Sequence, residues 1–212
     1  MNKITKIEVG KRNKDRVNVF IDDEFAFACF GELVYNYNLT KGKVVNVDEL
    51  REVIEQEEYL KCKSAALKMM ERSYKTEKEV REKLLTKEFS ENSIQRAIEF
   101  LKEYNFINDE KYAQMYIKDK IKLSGKNKIK YSLIRKGVDE EFIKSNLDMV
   151  DKDSELEVAE KLAYKKYAVI SKGESDKYKL SNKLIRFLMT KGYDYDTCKK
   201  ITKKIVELDF ND

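Results

Sequence analysis

The chain has 212 residues, 42% of them hydrophobic, and carries 44 Lys plus Arg against 39 Asp plus Glu, a net charge of +5. That is enough apolar material for one or two cores, and the absence of proline with only 7 glycines favours long, uninterrupted helices. Histidine is absent, which excludes Ser-His-Asp and Cys-His catalysis and every other mechanism that needs an imidazole.

Residues 3–30 alternate apolar and polar side chains. Ile7 and Val9, then Val17, Val19 and Ile21, then Phe25, Phe27 and Cys29 predict an antiparallel meander of three strands, with turns at 11–15 and at Asp22-Asp23. Three short strands bury little alone, so a helix must cover one face. Leu33, Val34 and Tyr37 suit such a helix, with a stop at 39–42. Val44 and Val45 then suggest an edge strand, and Asp48 a cap for a helix with Leu50, Val53 and Ile54 inward and several acids outward. Residues 1–60 hold 9 basic and 12 acidic side chains, which leaves +8 for the remainder and sets a boundary near residue 60.

From Ser64 the pattern is helical. Ala65, Ala66, Met69 and Met70 line one helix; Thr76-x-x-Glu79 reads as a capping box opening a second, with Val80, Leu84 and Leu85 inside. Ser90 opens a third with Ile94, Ala97, Ile98 and Leu101. Tyr112, Met115, Tyr116, Ile121 and Leu123 form the next stripe, broken at Ser124-Gly125 and followed by Ile129, Leu133 and Ile134. Gly137 is expected to end that helix in a left-handed conformation, and Asp139 to cap another with Phe142, Ile143, Leu147 and Val150 inward. A further set begins near Ser154 with Val158, Leu162 and Tyr167. It passes the linker-like SKGESD at 171–176, continues with Leu180, Leu184, Phe187, Leu188 and Met189, and ends with Ile201, Ile205 and Leu208.

Laid side by side, the middle-helix endings LLTKEFSENSI, LIRKGVDEEFI and FLMTKGYDYDTC reveal an internal repeat. Lys87, Lys136 and Lys191 align at offsets of 49 and 55 residues, as do Phe89, Val138 and Tyr193, then Ser90, Asp139 and Asp194. Glu88 stands where the others have Gly137 and Gly192, which suggests a different final helical turn there. The expected fold is mainly α, with three tandem three-helix repeats at 61–108, 109–152 and 153–212 forming an elongated array. A small α+β module at 1–60, built on the antiparallel meander, precedes them.

Between 113 and 136 seven lysines and Arg135 face one acid, Asp119, a local balance of +7. Lys118, Lys122, Lys126, Lys128, Lys130, Arg135 and Lys136 are therefore candidates for contact with an acidic surface or with phosphates, and Lys183, Arg186 and Lys191 form a second candidate group. The plainer reading of these lysines is a solvated face. Tyr112 and Tyr116, four apart, could stack on bases, although a packing seam between helices accounts for them more simply. Asp109 reads as a helix cap rather than a metal ligand. Cys29, Cys62 and Cys198 are odd in number and far apart, which fits reduced thiols in a cytoplasmic protein and no zinc site. No apolar run approaches the ~18 residues of a membrane span, and MNKITKIEVG lacks the apolar centre of a signal peptide. Nothing resembles a P-loop or dinucleotide fingerprint. The pattern points to binding without cofactor or metal, a DNA-binding or transcriptional module being one form of it and an enzyme the least supported class.

The segment LKEYNFINDEKYAQMYIKDK at 101–120 joins a short turn to Asn108-Asp109, then Tyr112-Ala113, then lysines from Lys118. With TEKEVREKLLTKEF at 76–89 and KIKYSLIRKGVDEEFI at 128–143, it resembles the RecX family, regulators of the bacterial recombinase RecA. The likeness covers about 64–208, more loosely over 175–208, and the meander is similar to the extended N-terminus of some members. Asn105 replaces a usual glycine, a mild departure because Asn tolerates left-handed angles, and Glu88 departs from the common Lys-Gly ending. The family-like positions are Asn108, Asp109, Tyr112, Ala113, Gly137 and Gly192. The resemblance implies a non-enzymatic modulator in recombination, DNA repair and the SOS response. It would bind RecA and its filament on DNA, lodge in the helical groove and restrain ATP hydrolysis, strand exchange and co-protease activity. A cytoplasmic monomer is expected, with single-stranded or duplex DNA as a further partner.

Overall fold

The computed structural model describes residues 2–10 and 13–209. The chain forms two compact units, one of Met1–Tyr74 with Val80–Ile107 and one of Lys75–Glu79 with Asn108–Asp212.

In the first unit, β1 (Ile4–Val9), β2 (Arg16–Ile21) and β3 (Glu24–Phe30) form the expected antiparallel meander. Val19 pairs with Ile7 on one side and Phe27 on the other. Asp22 and Asp23 are both left-handed, with φ of 49° and 69°, as a two-residue hairpin turn requires. The other turn includes Lys11 and Arg12, which lie outside the described residues. Ile4, Val19 and Cys29 pack with Leu33 of α1 (Gly31–Asn36), Leu39, Val45 and Val53. The expected edge strand is reduced to one bridge between Lys3 and Val44.

A single 24-residue helix, α2 (Val47–Met70), replaces the two expected on either side of residue 60. It contains neither Gly nor Pro, so no residue in it stops propagation, and a shift in charge composition does not break a helix. Its cap is Asn46 in a reciprocal box with Glu49, while Asp48, expected as the cap, sits in the first turn. Not all its acids point outward. Glu57, 5% exposed, accepts from Arg16 at 2.6 Å and from the Phe30 N–H at 2.8 Å. The next residue, Glu58, accepts from the Ser90 N–H and hydroxyl, both at 2.7 Å. Two adjacent carboxylates thus hold the sheet on one side and a helix cap on the other.

Cys62 and Ala66 of α2 close a core with Val80 and Leu84 of α3 (Glu77–Leu85) and Ile94, Ile98 and Leu101 of α4 (Glu91–Glu103). The second unit holds α5 (Asp109–Lys120), α6 (Lys126–Arg135) and α7 (Glu140–Asp148), then α8 (Lys152–Ile170), α9 (Lys177–Lys191) and α10 (Tyr195–Asp209). Val80, Ile129 and Leu184 are equivalent and buried, as are Leu84, Leu133 and Leu188, and Ile94, Ile143 and Cys198. Ser90, Asp139 and Asp194 each accept the N–H three residues on, so the aligned caps are real.

The first helix of each set buries smaller residues than periodicity suggests. Ala113 and Ile117 occupy the α5 contact, whereas Met115 and Leu123 are 43% and 55% exposed. Ala159 and Ala163, rather than Val158 and Leu162, do the same on α8. Close helix approach selects alanine at the contact line and leaves larger side chains to flank it. The side chain of Leu208, expected inward on α10, lies outside the described residues.

All three cysteines are free and buried, and burial pushes each thiol up to about 11, which suppresses the reactive thiolate. Among the described residues no helix is long and apolar enough to cross a membrane.

Thr202 takes the place that Ile98 and Leu147 fill in the other sets, and its buried hydroxyl has no hydrogen-bond partner among the described residues. Thr202→Val should therefore raise the unfolding free energy by about 1 kcal/mol in urea denaturation.

Candidate functional site

The three middle helices end alike. Phe89, Val138 and Tyr193 donate their N–H groups to Leu84, Leu133 and Leu188 carbonyls at 3.4, 3.2 and 3.3 Å. The residue before each is left-handed, with φ of 63° at Glu88, 85° at Gly137 and 96° at Gly192. Glu88 thus adopts the same turn, not the different one expected, at a cost of about 1 kcal/mol for a residue with Cβ. What separates glutamate from glycine is the neighbour on the helix tail. A Cβ on Gly137 would stand 2.7 Å from Lys78 Cβ, and one on Gly192 would stand 2.5 Å from the Lys128 nitrogen. Glu88 is exposed.

On the Gly137 tail sits the first turn of α3. Thr76 and Glu79 form the predicted box, with Thr76 N–H reaching Glu79 Oε2 at 3.1 Å and Glu79 N–H reaching Thr76 Oγ1 at 3.3 Å. The Thr76 hydroxyl also donates to the Lys136 carbonyl at 2.7 Å. Asp109 is a cap, but of α3: it accepts the Glu77 N–H at 2.9 Å, while Asn108 caps α5 by accepting from Lys111 at 2.8 Å. The Lys136 ammonium bonds Glu79 and lies 5.3 Å from the Tyr112 ring centre. Burial opposes both charges, yet the bonds outweigh it, holding the Glu79 carboxyl below its usual range and Lys136 above its own.

The Gly192 tail receives the head of α6. Gly125 N–H donates to the Lys191 carbonyl at 2.9 Å, and Asn127 N–H to the Gly192 carbonyl at 3.2 Å. Lys126 N–H reaches Glu155 Oε1 at 3.1 Å. The first turn of α6 has no acid and its Gly125 cap no side chain, so the neighbouring tail and Glu155 satisfy its orphan donors. A Cβ at Gly125 would meet the Gly192 carbonyl oxygen at 2.6 Å. In the sequence Gly125 reads only as a helix break; its role at a docked helix head shows in its close approach to Gly192.

These joints sort the basic residues. Lys118 and Lys122 are exposed with no carboxylate partner among the described residues. Among the described residues Lys128 reaches only the Thr190 carbonyl, at 3.3 Å, and Arg135 only the Ser132 hydroxyl, at 3.4 Å. Lys130 stands 3.8 Å from Glu140. Lys126 turns inward to the Val150 carbonyl at 3.0 Å and Glu155 at 3.6 Å, so it and Lys136 hold structure together. Lys183 pairs with Glu174 at 3.1 Å, Lys191 lies 5.6 Å from the Phe187 ring centre, and Arg186 is exposed. Tyr112 and Tyr116 stack on each other at 6.1 Å, partly buried against the core that holds Ala113.

Residues 2–46 match the family Regulatory protein RecX N-terminal domain. Residues 62–101, 108–146 and 153–202 match the first, second and third three-helix domains of RecX. The Regulatory protein RecX of Clostridium perfringens strain 13 is 52% identical over 210 residues, covering 99% of both chains. That of Clostridium beijerinckii is 49% identical over 212 residues, covering 100% of both. A crystal structure of regulatory protein RecX shares the fold, with a TM-score of 0.72 at 24% identity over 96% of this chain and 100% of that one.

Gly137→Ala and Gly192→Ala should each lower stability by more than about 1 kcal/mol, from left-handed strain plus the clash with the docked head. Glu88→Gly should not, and chemical denaturation of the three variants side by side tests this. Lys136→Met should cost about 1 kcal/mol near neutrality. Because the Glu79 pKa is depressed, the pair stabilises above the ordinary carboxylate range and is lost as pH falls through the folded-state value. Lys136 is raised, so at the other end of the scale the same pair is lost as pH climbs through the folded-state lysine value. The cost of Lys136→Met should therefore shrink in acid, as urea denaturation across pH would reveal.

Proposed function

Because the chain belongs to the RecX family, we propose that it is a regulator without turnover of its own, which binds the RecA filament on single-stranded DNA and restrains its ATP hydrolysis, strand exchange and co-protease activity. Supporting this, the relatives carry the name regulatory protein. The observation that carries the binding surface is the set Lys118, Lys122, Lys128 and Arg135, cations of α5, α6 and the turn between them that make no ion pair among the described residues. Unneutralised charge in so short a stretch is available to an acidic protein surface or to phosphates, and it steers association. Lys126 and Lys136 have their own internal partners, so they support the surface rather than form it.

The test is Lys118→Glu/Lys122→Glu/Arg135→Glu, three exposed positions whose reversal leaves both helix joints untouched. Circular dichroism should match the original, while affinity for RecA-coated single-stranded DNA falls by about tenfold or more, and inhibition of DNA-dependent ATP hydrolysis weakens in step. A folded triple variant that inhibits as well as the original would move the surface elsewhere, Arg186 being the next position to reverse.

A further inference from the structure

Phe187 departs from the pattern of the repeat. Counted back from the aligned lysines, Lys83 and Ser132 hold its place in the other two sets, so the three-helix fold does not call for an aromatic ring there. With Ile170 of α8 and Thr190 it lines a cleft of ≈ 340 Å³ between α8 and α9. Lys166, Lys183 and Arg186 complete the lining, and no carboxylate joins them. Glu174 takes Lys183 at 3.1 Å. Lys166 and Lys191 each stand 5.6 Å from the Phe187 ring centre, and with Arg186 they have no carboxylate partner among the described residues.

Ile170 and Phe187 are only partly buried against the third core, so covering them gains further hydrophobic energy. The three cations repel one another, and a counter-charge from outside relieves that repulsion. A ligand that is both apolar and acidic meets both demands. A nucleic acid fits poorly, because base stacking needs an open aromatic face and this ring already attracts two ammonium groups. The cleft lies at the small end of the range for ligand sites, with room for one apolar side chain, and the Arg186 guanidinium is the planar fork that pairs with carboxylates. Lys183, Arg186, Phe187, Thr190 and Lys191 fall on one face of α9. They span about 12 Å at helical rise, the length of roughly four residues of extended chain. Lys128 reaches the Thr190 carbonyl, so the cleft adjoins the cations of α6.

We propose that the α8–α9 cleft docks a short acidic segment of a partner protein. One apolar side chain of that segment enters between Ile170 and Phe187, while carboxylates on either side of it meet Lys166, Arg186 and Lys191. The inference does not rest on the recombinase reading: its test contains no recombinase, so either can fail alone. Binding of a labelled peptide of glutamates around a single central phenylalanine to the full chain would be followed by anisotropy. Phe187→Ser, a change to the second repeat's own side chain, and Arg186→Glu, at an exposed position, should each weaken it by about tenfold. A peptide with glycine in place of the phenylalanine should bind the original protein about tenfold more weakly and be indifferent to Phe187→Ser. On the unaltered protein the phenylalanine peptide should protect backbone amides at 166–170 and 183–191 from hydrogen exchange, a readout independent of how the variants fold. Equal affinity of a folded Phe187→Ser variant, or equal binding of the two peptides, would overturn the proposal. So would protection of these amides by oligothymidylate and not by the peptide, which would give the cleft to a nucleic acid.

Discussion

The head of one helix can rest on the tail of another only where no Cβ stands between them. At a head the N–H groups lack acceptors, and at a tail the carbonyls lack donors. Bringing the two together satisfies both and aligns the positive end of one dipole with the negative end of the next. The contact between Gly125 and Gly192 does this largely with backbone, Glu155 taking the Lys126 N–H. At Gly137 the same approach is reinforced by Thr76, Glu79, Asp109 and Lys136. Much of the second unit follows from these joints, including which lysines are consumed by structure and which remain outside.

Electrostatics in the first unit follow a parallel logic. Glu57 and Glu58 are neighbours on α2, yet one is buried beneath the sheet with Arg16 and the other caps α4. Their charges are spent on Arg16, Lys61 and the Ser90 cap, which leaves Lys68, farther along α2, without a carboxylate partner among the described residues. Unpaired positive charge therefore arises where acids are used up by folding, rather than where bases are most numerous. The same accounting holds at α6, where Glu79 and Glu155 take Lys136 and Lys126 and leave Lys128 and Arg135 outside.

Features encoded over a few residues were legible. The strand alternation, the Thr76 box, the caps at Ser90, Asp139 and Asp194, and the left-handed Gly137 and Gly192 all depend on near neighbours in sequence. The repeat was readable for the same reason. Long-range choices were not. Nothing local tells Asp109 to cap α3 across 32 residues, or shows that Lys126 and Lys136 turn inward while Lys122 does not. The continuity of α2 was misjudged because a change of charge was weighed as a boundary, although propagation answers to backbone conformation and not to net charge. Glu88 was legible in position but not in shape, since its backbone follows the hydrogen bonds of the turn despite the strain.

Glu88 also says something about how such a chain can grow. Three middle helices have two internal joints, and each joint has a glycine at its receiving tail. The remaining tail, on α3, carries Glu88, a left-handed residue with a Cβ, at the position the glycines hold in the other two. A duplicated module spliced in ahead of it would meet that obstruction, and the left-handed backbone beneath is already shaped for a residue without one. A head docking on this tail would first need that residue replaced by one without a Cβ.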